Sequence, residues 1–570
     1  MAGKKYVIPP APTGKTPALD AAVIQEKLRL KANQRLASLD ALRGLNMLCI
    51  IGLASLIAAI CNLQISDFQV FGEKGVKAAT AFRQHWPGPT PEAISKQMDH
   101  VSWDGLRHHD TIFPLFLFLA GVSFPFSFAK QRANGRPMWR VCVKILIRGL
   151  SLFIVGYFYQ NTVRFDFGEL RFMGVLQHIG LAWMLAAFIY LIFANRIRTQ
   201  VLICALILVS YWLFVTLVPA RDVCGPEAFT SKAFKARAAQ LFTVRAPDKY
   251  AEIDEIIPEK KAPEAEQSGA EAAESETPAA ETPAPEPVYV TKHSFKGILS
   301  SMFDENPLPA FDAPDYPALG TVDHNLLPEG CVVNYVDRQY VPGRLYHDKK
   351  NLRKAMRDGD MESTYNPEVW RTLRDPEGLA STFPAIVTAL LGMLFGGVLR
   401  RDDLLCSKMK KVAILVGYGV LLLAIGFFWH MIFPINKNLW NSSFVCFVGG
   451  YSAIALGITY LLIDVWRLRW LGFPFAVVGM NCIAIFVIRR IVNFSNARDF
   501  FFSDAISRFV PNEYPDPNFV IDPSVADPSA VDIPMIACNN FQSIATTIAG
   551  LIVSWVFLFW LYKKRIFFKL

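Results

Sequence analysis

Charged residues are scarce in this chain of 570 residues, because Asp, Glu, Lys and Arg make up only 19% of it while 52% is hydrophobic. Soluble domains usually carry about a quarter charged residues, so this composition argues against a water-soluble protein. A cleavable signal peptide is also missing, since the chain stays polar until Leu45 and shows no short apolar run with a small-residue cleavage site. We therefore expect the first apolar run to remain as a membrane anchor.

Motifs for nucleotide and metal chemistry are missing as well. No Walker or GxGxxG pattern occurs, so ATP and dinucleotide chemistry have no support. Histidines and aspartates could ligate zinc, but no HExxH pattern accompanies them, and the adjacent His108 and His109 would point in different directions. We predict no metal. The net charge of +9 could indicate a nucleic-acid partner. Most basic residues lie in short loops between apolar runs, so we expect no nucleic-acid partner.

Long apolar runs are what the sequence does contain. A membrane-spanning helix needs about 20 mostly apolar residues. The sequence therefore predicts an all-α polytopic membrane protein with about ten spanning helices, near residues 45–63, 111–129, 144–160, 173–194, 200–219, 382–399, 412–433, 443–464, 471–488 and 541–562.

Basic residues alternate from one connection to the next. The N-terminal tail, the C-terminal tail and every second connection are rich in Lys and Arg, and these basic connections are short. Basic loops stay on the cytoplasmic side of a membrane. The pattern predicts cytoplasmic termini, and the plasma (inner) membrane as the location if the source is bacterial.

The connections on the other side are longer and divide the chain. We expect a basic cytoplasmic tail at 1–40, five helices within 41–220, a large extracytoplasmic insert at 221–380 and five helices within 381–570. Within the insert, 250–290 is dominated by Ala, Glu and Pro; such a stretch cannot bury enough apolar surface to order itself, so we predict disorder there. Two outer loops, 64–110 and 489–540, complete the far side.

Three of the ten cysteines, Cys224, Cys331 and Cys538, fall in the extracytoplasmic connections, where disulfides persist. A bridge between Cys224 and Cys331 would tether the insert to the membrane helices. Free thiols are an equal alternative.

The densest group of titratable residues lies just before the second helix and comprises Asp99, His100, Asp104, His108, His109 and Asp110. Polar groups at membrane depth tend to mark function, and an imidazole that titrates near neutral pH suits a general base or a nucleophile. An interfacial side chain that bonds to backbone is the competing interpretation.

Five further groups could contact a substrate or cofactor. Gln177 and His178 enter the fourth helix, where bonding between helices is the alternative. Asp375 to Gly378 should form a turn, after which Ser381 or Thr382 could cap the sixth helix or leave its N–H groups for an oxyanion. An outer turn with amides, a lysine and an indole suits sugar hydroxyls and a sugar ring, or is an ordinary interface turn. The remaining candidates are Asn436, Lys437, Asn438 and Trp440 in that turn, Asn481 in the ninth helix, and Asp40, Arg43 and Arg148 toward the cytoplasm.

Together these segments resemble the heparan-α-glucosaminide N-acetyltransferase family of transmembrane acyltransferases, especially its bacterial branch. The matching pieces occur in the family's order between Arg35 and about Val492: SLDALRG, HVSWDG with DTIFPLFLFLAGVSFPFS, RFMGVLQHIG, DPEGLASTFPAIVTALLG, INKNLWNSSFV and VGMN. The chain departs from some members at Ala54, where they have Asn, and at His178, where they have Arg.

The resemblance implies transfer of an acetyl group from cytoplasmic acetyl-CoA to the amine of a glucosamine-type sugar outside the cytosol. His100 would be the general base or a transient acetyl carrier, with Asp110 as the second catalytic residue. Substrate contacts would fall to Trp103, Asp104, Gln177, His178, Asp375, Glu377 and the residues of the outer turn, and cofactor contacts to Asp40, Arg43 and Arg148. The family also suggests a homodimer. Alternatives are a secondary transporter of a small polar solute and an O-acyltransferase acting on glycan hydroxyls.

Overall fold

A computed structural model describes residues 36–86, 88–161, 171–194, 196–220, 302–303, 308, 317, 321–341, 345–346, 374–401, 406–510, 513–515, 535–537 and 539–568. Cys224 and segment 250–290 lie outside these residues, and so do most of the N-terminal tail and much of the insert. The predictions made for those parts therefore stay predictions.

Apolar helices dominate the described residues. The first half of the described chain has seven helices: α1 (Ala37–Cys61), α2 (Gly72–His85), α3 (Pro91–Gln97), α4 (His108–Ala133), α5 (Met138–Asn161), α6 (Val175–Ile192) and α7 (Ile197–Leu217). The insert contributes α8 (Val322–Asn325) and α9 (Val332–Tyr340). The second half has α10 (Thr382–Arg400), α11 (Lys408–His430), α12 (Ser442–Tyr460), α13 (Arg469–Gly479), α14 (Cys482–Ile491), α15 (Phe494–Phe509) and α16 (Asn539–Lys563).

The predicted membrane fold is confirmed. Nine helices of the described chain are long and apolar enough to span a membrane, and a tenth span results if α13 and α14, bent by 47°, count as one. The helices and strands of the two outer loops were not predicted. Helices α2 and α3 lie within loop 64–110, helix α15 lies within loop 489–540, and two three-residue strands, β1 (Glu513–Pro515) and β2 (Met535–Ala537), pair antiparallel in the second loop.

Helices α4 and α10 form the centre of the bundle. Of the most apolar 18 residues in each helix, 78% are buried in α10 and 22% in α11. Helix α10 is therefore surrounded by protein, while α11 lies at the edge of the bundle. Glycines permit the close crossing of α4 and α10. A Cβ atom added at Gly392 would lie 2.1 Å from the carbonyl oxygen of Phe118. Small residues at such crossings let backbones approach closely in membranes.

This crossing can be tested with two glycines of one helix. Gly392→Ala should lower the thermal unfolding midpoint, because the added methyl group meets backbone and forces the helices apart at a cost of about 1–3 kcal/mol. Gly397→Ala is the matched control, since the nearest atom to a Cβ there is the Tyr190 hydroxyl at 3.8 Å. Equal midpoints for the two variants in detergent would contradict the close crossing.

The described part of the insert packs on the end of the bundle at which α7 ends. Cys331 pairs with Pro219 at the end of α7 in a single antiparallel bridge, and Ala220 donates its N–H to the Gly330 carbonyl at 3.0 Å. An apolar cluster of Val332, Val333, Tyr211 and Val215 joins α9 to α7. Cys331 is fully buried; its predicted disulfide partner, Cys224, lies outside the described residues, so the Cys224–Cys331 bridge stays a prediction.

Candidate functional site

His100 and Asp110 form a close pair at the start of α4. The imidazole Nδ1 lies 2.6 Å from Asp110 Oδ1, within the range of a charge-assisted hydrogen bond. The Asp110 side chain is only 2% exposed, whereas that of His100 is 53% exposed. Because the carboxylate accepts a hydrogen from Nδ1, the other ring nitrogen, Nε2, is left with a lone pair that can accept a proton or attack a carbonyl.

The pair is held in place by backbone near the helix start. Asp110 is the third residue of α4, and its Oδ2 accepts from the Arg107 N–H at 3.1 Å, as in a capping box. The Arg107 guanidinium donates to the His100 carbonyl oxygen at 2.9 Å. His109 packs edge-on against the His100 ring, with 4.5 Å between centroids. The first turn of α4 therefore fixes the orientation of the His100 ring.

Lys437 joins the pair from the opposite half of the chain. Its Nζ lies 3.3 Å from Asp110 Oδ1 and 3.1 Å from His100 Nδ1. One carboxylate oxygen thus faces both a lysine ammonium and an imidazole. Lys437 was predicted to contact the sugar, but the structure places its ammonium against the two proposed catalytic residues.

The turn after His100 is held by the insert and the 434–441 turn. Gly105 adopts φ 117°, a conformation that favours glycine, and donates its N–H to the Ile435 carbonyl at 2.8 Å. Trp103 is 1% exposed, and its indole N–H donates to the Leu326 carbonyl at 2.9 Å. Trp103 is therefore an anchor between loop and insert rather than an open sugar-contacting face.

Arg374, which the sequence reasoning missed, also holds this turn. Its guanidinium donates to the Ser102 carbonyl at 2.7 Å and lies 4.8 Å above the Trp103 ring. Burial lowers the pKa of Arg374 to about 10. No motif singled it out, because a single arginine next to an aspartate is too common to be a signal.

Asn436 and Asn438 bind protein groups of the same turn. The Asn436 amide donates to Asp104 Oδ1 at 3.0 Å, and the Asn438 amide lies 3.4 Å from the Ser102 carbonyl. Asn436 is fully buried. These two amides therefore connect the 434–441 turn to the 102–105 turn, and Asp104 serves the same connection.

Trp440 was predicted to face a sugar ring, and the structure corrects this. Its side chain is 0% exposed, its indole N–H donates to Thr388 Oγ1 at 3.1 Å, and its ring packs against Phe113 and His178. Trp440 also has φ 54°, a rare backbone conformation for a large residue. It is a core residue that turns the chain into α12.

A conservative variant separates the two roles of Trp440. Trp440→Phe should lower the thermal unfolding midpoint, since the lost hydrogen bond to Thr388 contributes about 0.5–1.5 kcal/mol. It should leave KM for the acceptor unchanged, because no indole face reaches solvent. A raised KM with an unchanged midpoint would restore the sugar-binding interpretation.

Gln177 and His178 are also fully buried. His178 Nδ1 lies 3.3 Å from Thr382 Oγ1, which itself donates to the Gly378 carbonyl at 2.9 Å. The Gln177 amide donates to the Phe172 carbonyl at 3.2 Å. The contact of His178 with Thr382 joins two helices, as the alternative interpretation predicts, whereas the Gln177 bond stays within its own segment.

A buried ion cluster is centred on Arg171. Arg171 Nε and Nη2 bond to the two oxygens of Asp375 at 3.1 and 2.6 Å, and Nη2 also lies 2.6 Å from Glu377 Oε2. The three residues are 5%, 1% and 7% exposed. Asp375 and Glu377 were predicted to contact substrate, whereas here they are partners of Arg171, which sequence reasoning missed.

Burial and the charge of Arg171 together set the pKa values of the two carboxyl groups in the cluster. Burial raises the pKa of Asp375 to about 6, although Arg171 opposes this. Burial would also raise the pKa of Glu377, but Arg171 and Lys437 outweigh it, and the pKa is lowered. Burial would lower the pKa of Arg171, but the two carboxylates raise it overall. Lys437 thus acts on both Glu377 and Asp110.

The segment from Asp375 to Gly378 is a turn, as predicted, because the Gly378 N–H bonds to the Asp375 carbonyl at 3.1 Å. The predicted cap on α10 is wrong. The Ser381 hydroxyl donates back to the Gly378 carbonyl at 3.1 Å, and Ser381 makes no side-chain cap bond.

Asn481 lies at the break between α13 and α14, away from the pair. Its amide donates to the Ile566 carbonyl at 3.0 Å and accepts from the Phe568 N–H at 3.1 Å. Its predicted role at the outer site is therefore replaced by a connection to the C-terminal segment that follows α16.

The residues predicted for the cofactor lie on α1 and α5. Arg43 bonds to the Leu119 carbonyl at 2.9 Å and to the Ser123 hydroxyl, and lies 3.8 Å from Asp40. Arg148 lies over the Trp183 ring at 4.5 Å, and its Nε is buried with no partner in the described part of the chain. The Arg148 Nε–H therefore has no acceptor among the described residues, whereas the Arg43 guanidinium bonds to protein groups.

No group of three or more His, Cys, Asp or Glu among the described residues could hold a metal ion. The geometry on hand is that of a half-exposed imidazole supported by a buried carboxylate.

Comparison with known proteins finds one matching family model and two similar relatives. The family model described as "Heparan-alpha-glucosaminide N-acetyltransferase, catalytic" matches residues 91–236, which include His100 and Asp110. The human heparan-alpha-glucosaminide N-acetyltransferase is 24% identical over 400 residues, covering 68% of this chain and 48% of that protein. The mouse protein of the same name is 23% identical over 404 residues with the same coverage. This chain thus spans about half the length of the curated relatives that it matches.

Proposed function

We propose that this chain is a transmembrane N-acetyltransferase, because its residues 91–236 match the catalytic model of the heparan-alpha-glucosaminide N-acetyltransferase family and the human protein of that name is 24% identical to it. The acetyl donor is acetyl-CoA from the cytoplasm, and the acceptor is the amine of a glucosamine-type sugar on the far side of the membrane. The single observation that carries the proposal is the His100–Asp110 pair, which lies in the matched segment and at the boundary of a spanning helix.

General-base catalysis follows from the orientation of the pair. Asp110 holds the hydrogen of His100 on Nδ1, so the exposed Nε2 takes a proton from the sugar ammonium. The free amine attacks the thioester carbonyl, a C–N bond forms and the C–S bond breaks. The nitrogen of the new amide releases its second proton to water, and the imidazolium returns its proton to the CoA thiolate. Positioned bases of this kind contribute about 10²–10⁴-fold in rate.

Covalent catalysis is the second route that the same atoms allow. Nε2 attacks the thioester carbonyl, CoA leaves as the thiolate, and the acetylated imidazole then passes its acetyl group to the amine. A burst of free CoA before any sugar is added supports this route, and strict dependence of CoA release on sugar supports the direct one.

The donor end of the reaction rests on Arg148. Its buried, unpartnered Nε and its place about 15 Å along α5 from the Met138 end suit an anionic group that enters from the basic side. Arg43 and Asp40 would line the same region. This arrangement requires both termini in the cytoplasm, as the alternation of basic connections predicts, and a bacterial source would place the protein in the inner membrane. The partners are then acetyl-CoA, the amino sugar and the lipid bilayer, with a homodimer as the expected assembly.

The test is an assay of the purified full chain with acetyl-labelled CoA. Label should pass to glucosamine but not to N-acetylglucosamine, because only the former offers an amine. Transfer to both sugars would indicate an O-acyltransferase. Transport of the sugar across proteoliposomes with no CoA released would indicate a transporter instead.

A further inference from the structure

Lys437 occupies a position that the acetyl-transfer reaction as described above does not use. Its side chain is 17% exposed, so it lies mostly inside the site. Its Nζ contacts both members of the catalytic pair, at 3.3 Å from Asp110 and 3.1 Å from His100. The Lys437 ammonium therefore lies beside an imidazole that must itself become a cation when it accepts a proton.

The backbone around Lys437 is fixed on both sides. Ile435 accepts the Gly105 N–H, and Asn436 is fully buried and bonded to Asp104. On the other side, the backbone N–H of Trp440 donates to the Lys437 carbonyl at 3.1 Å. A turn whose backbone is fixed by hydrogen bonds therefore places Lys437 next to the pair.

Hydrogen counting decides which contacts can be hydrogen bonds. A lysine ammonium has donors only. His100 Nδ1 lies 2.6 Å from Asp110, and when it donates to that carboxylate it has no lone pair left to accept from Lys437. The 3.1 Å contact between Lys437 Nζ and His100 Nδ1 is then not a hydrogen bond, because both atoms are donors that share one acceptor oxygen of Asp110. Asp110 therefore favours the imidazolium form of His100, while Lys437 opposes it through like charge.

We propose that Lys437 is a positioning residue that acts through His100, keeping the imidazole neutral and able to accept a proton at lower pH than Asp110 alone would allow. The proposal rests on the proposed function for its catalytic consequence. Its physical content, the protonation of one imidazole, does not depend on any substrate.

Other charges near the pair come from every neighbouring element. Those that face His100 or Lys437 are Asp110 and His109 from α4, Arg107 and Asp104 from the preceding loop, Arg374 against the Ser102 carbonyl, and Glu377 from the turn before α10. Arg171 holds Glu377 on its far side. Lys437 is the only lysine ammonium of the described chain within 4 Å of Asp110, so its removal changes the charge balance directly at the pair.

The first experiment is the pH dependence of kcat/KM, whose acid limb reports protonation of the essential base of the free enzyme. Lys437→Met should move the acid limb upward by about one pH unit, because an opposing charge a few ångströms away is removed. Lys437→Arg, which keeps the charge, should restore the wild-type limb. Asp110→Asn should move the limb in the opposite direction.

A second experiment works without any activity. Diethyl pyrocarbonate acylates neutral imidazole, and mass spectrometry of the His100 peptide gives the rate of modification against pH in the full chain. The midpoint for Lys437→Met should lie about one unit above wild type, and Lys74→Met, on an exposed lysine of α2, should leave it unchanged.

The outcomes separate the two proposals. Unchanged His100 midpoints in Lys437→Met and Lys437→Gln overturn the role of Lys437, whatever the activity. A uniform loss of kcat/KM at every pH also overturns it, since that is the effect of a structural residue. A shifted midpoint in a protein that acetylates no amino sugar leaves the role of Lys437 standing and sinks the proposed function.

Discussion

Replacing His100 with alanine should lower the rate of acetyl transfer by about 10²–10⁴-fold, the usual contribution of a positioned base, or more if the imidazole carries the acetyl group. The protein should still fold, because the side chain is 53% exposed and fills no part of the core. The measurement is label transfer from acetyl-CoA to glucosamine at saturating donor, together with the thermal unfolding midpoint in detergent.

His85→Ala is the matched control for this variant. His85 lies on α2, is exposed, and bonds only to the Ala81 carbonyl one turn earlier. It should keep full activity and the same midpoint. Full activity in His100→Ala would end the assignment of the pair, whereas loss of activity in both variants would mean that the outer loop as a whole, not one imidazole, had been disturbed.

Replacing Arg171 with methionine should destabilise the protein by about 3–5 kcal/mol, because two buried carboxylates lose their common partner. Arg171 binds Asp375 through two nitrogens and shares Nη2 with Glu377, and burial leaves neither acid an alternative in water. The result should appear as a large fall in the thermal unfolding midpoint and a reduced yield of monodisperse protein, with activity lost along with the fold.

Two companion variants identify the cause of that loss. Arg171→Lys keeps the charge but cannot bond both oxygens of Asp375 in the same plane, so it should fall between wild type and Arg171→Met. Removing the acids as well, in the triple variant with Asp375→Asn and Glu377→Gln, should recover part of the midpoint. A triple variant no better than Arg171→Met would show that the lost packing of the arginine, including its contact 4.6 Å above the Tyr346 ring, dominates over charge.

Much of the membrane fold could be predicted from the sequence. The run at 382–399 is helix Thr382–Arg400, and the run at 443–464 is the span Ser442–Val465. The run at 144–160 was predicted too short, because α5 begins at Met138 and carries Arg148 inside it, over Trp183. A charged residue lowers the hydropathy of a candidate spanning segment. Stacking of Arg148 on the Trp183 ring of another helix nevertheless lets the charged residue lie within the span.

The candidate site was predicted less well than the helices. His100 and Asp110 stand ten residues apart, so a loop and one helical turn bring them together, and the sequence pointed to both. Trp440, Asn436 and Trp103 carried groups suited to a sugar, yet each is buried and bonded to protein. Side-chain chemistry in a sequence indicates what a residue could bind but does not indicate whether the residue is exposed.

The sequence alone determined that the chain forms about ten apolar spanning helices, because backbone polar groups in a bilayer must bond within their own helix and membrane thickness then requires about 20 apolar residues. It also placed His100 and Asp110 in one group of titratable residues just before the predicted second helix. Only the tertiary structure decided that Lys437, separated from His100 by 337 positions, lies against that pair, and that Arg171 neutralises Asp375 across 204 positions. Contacts between distant segments depend on how whole helices pack, and no local pattern of residues encodes that packing.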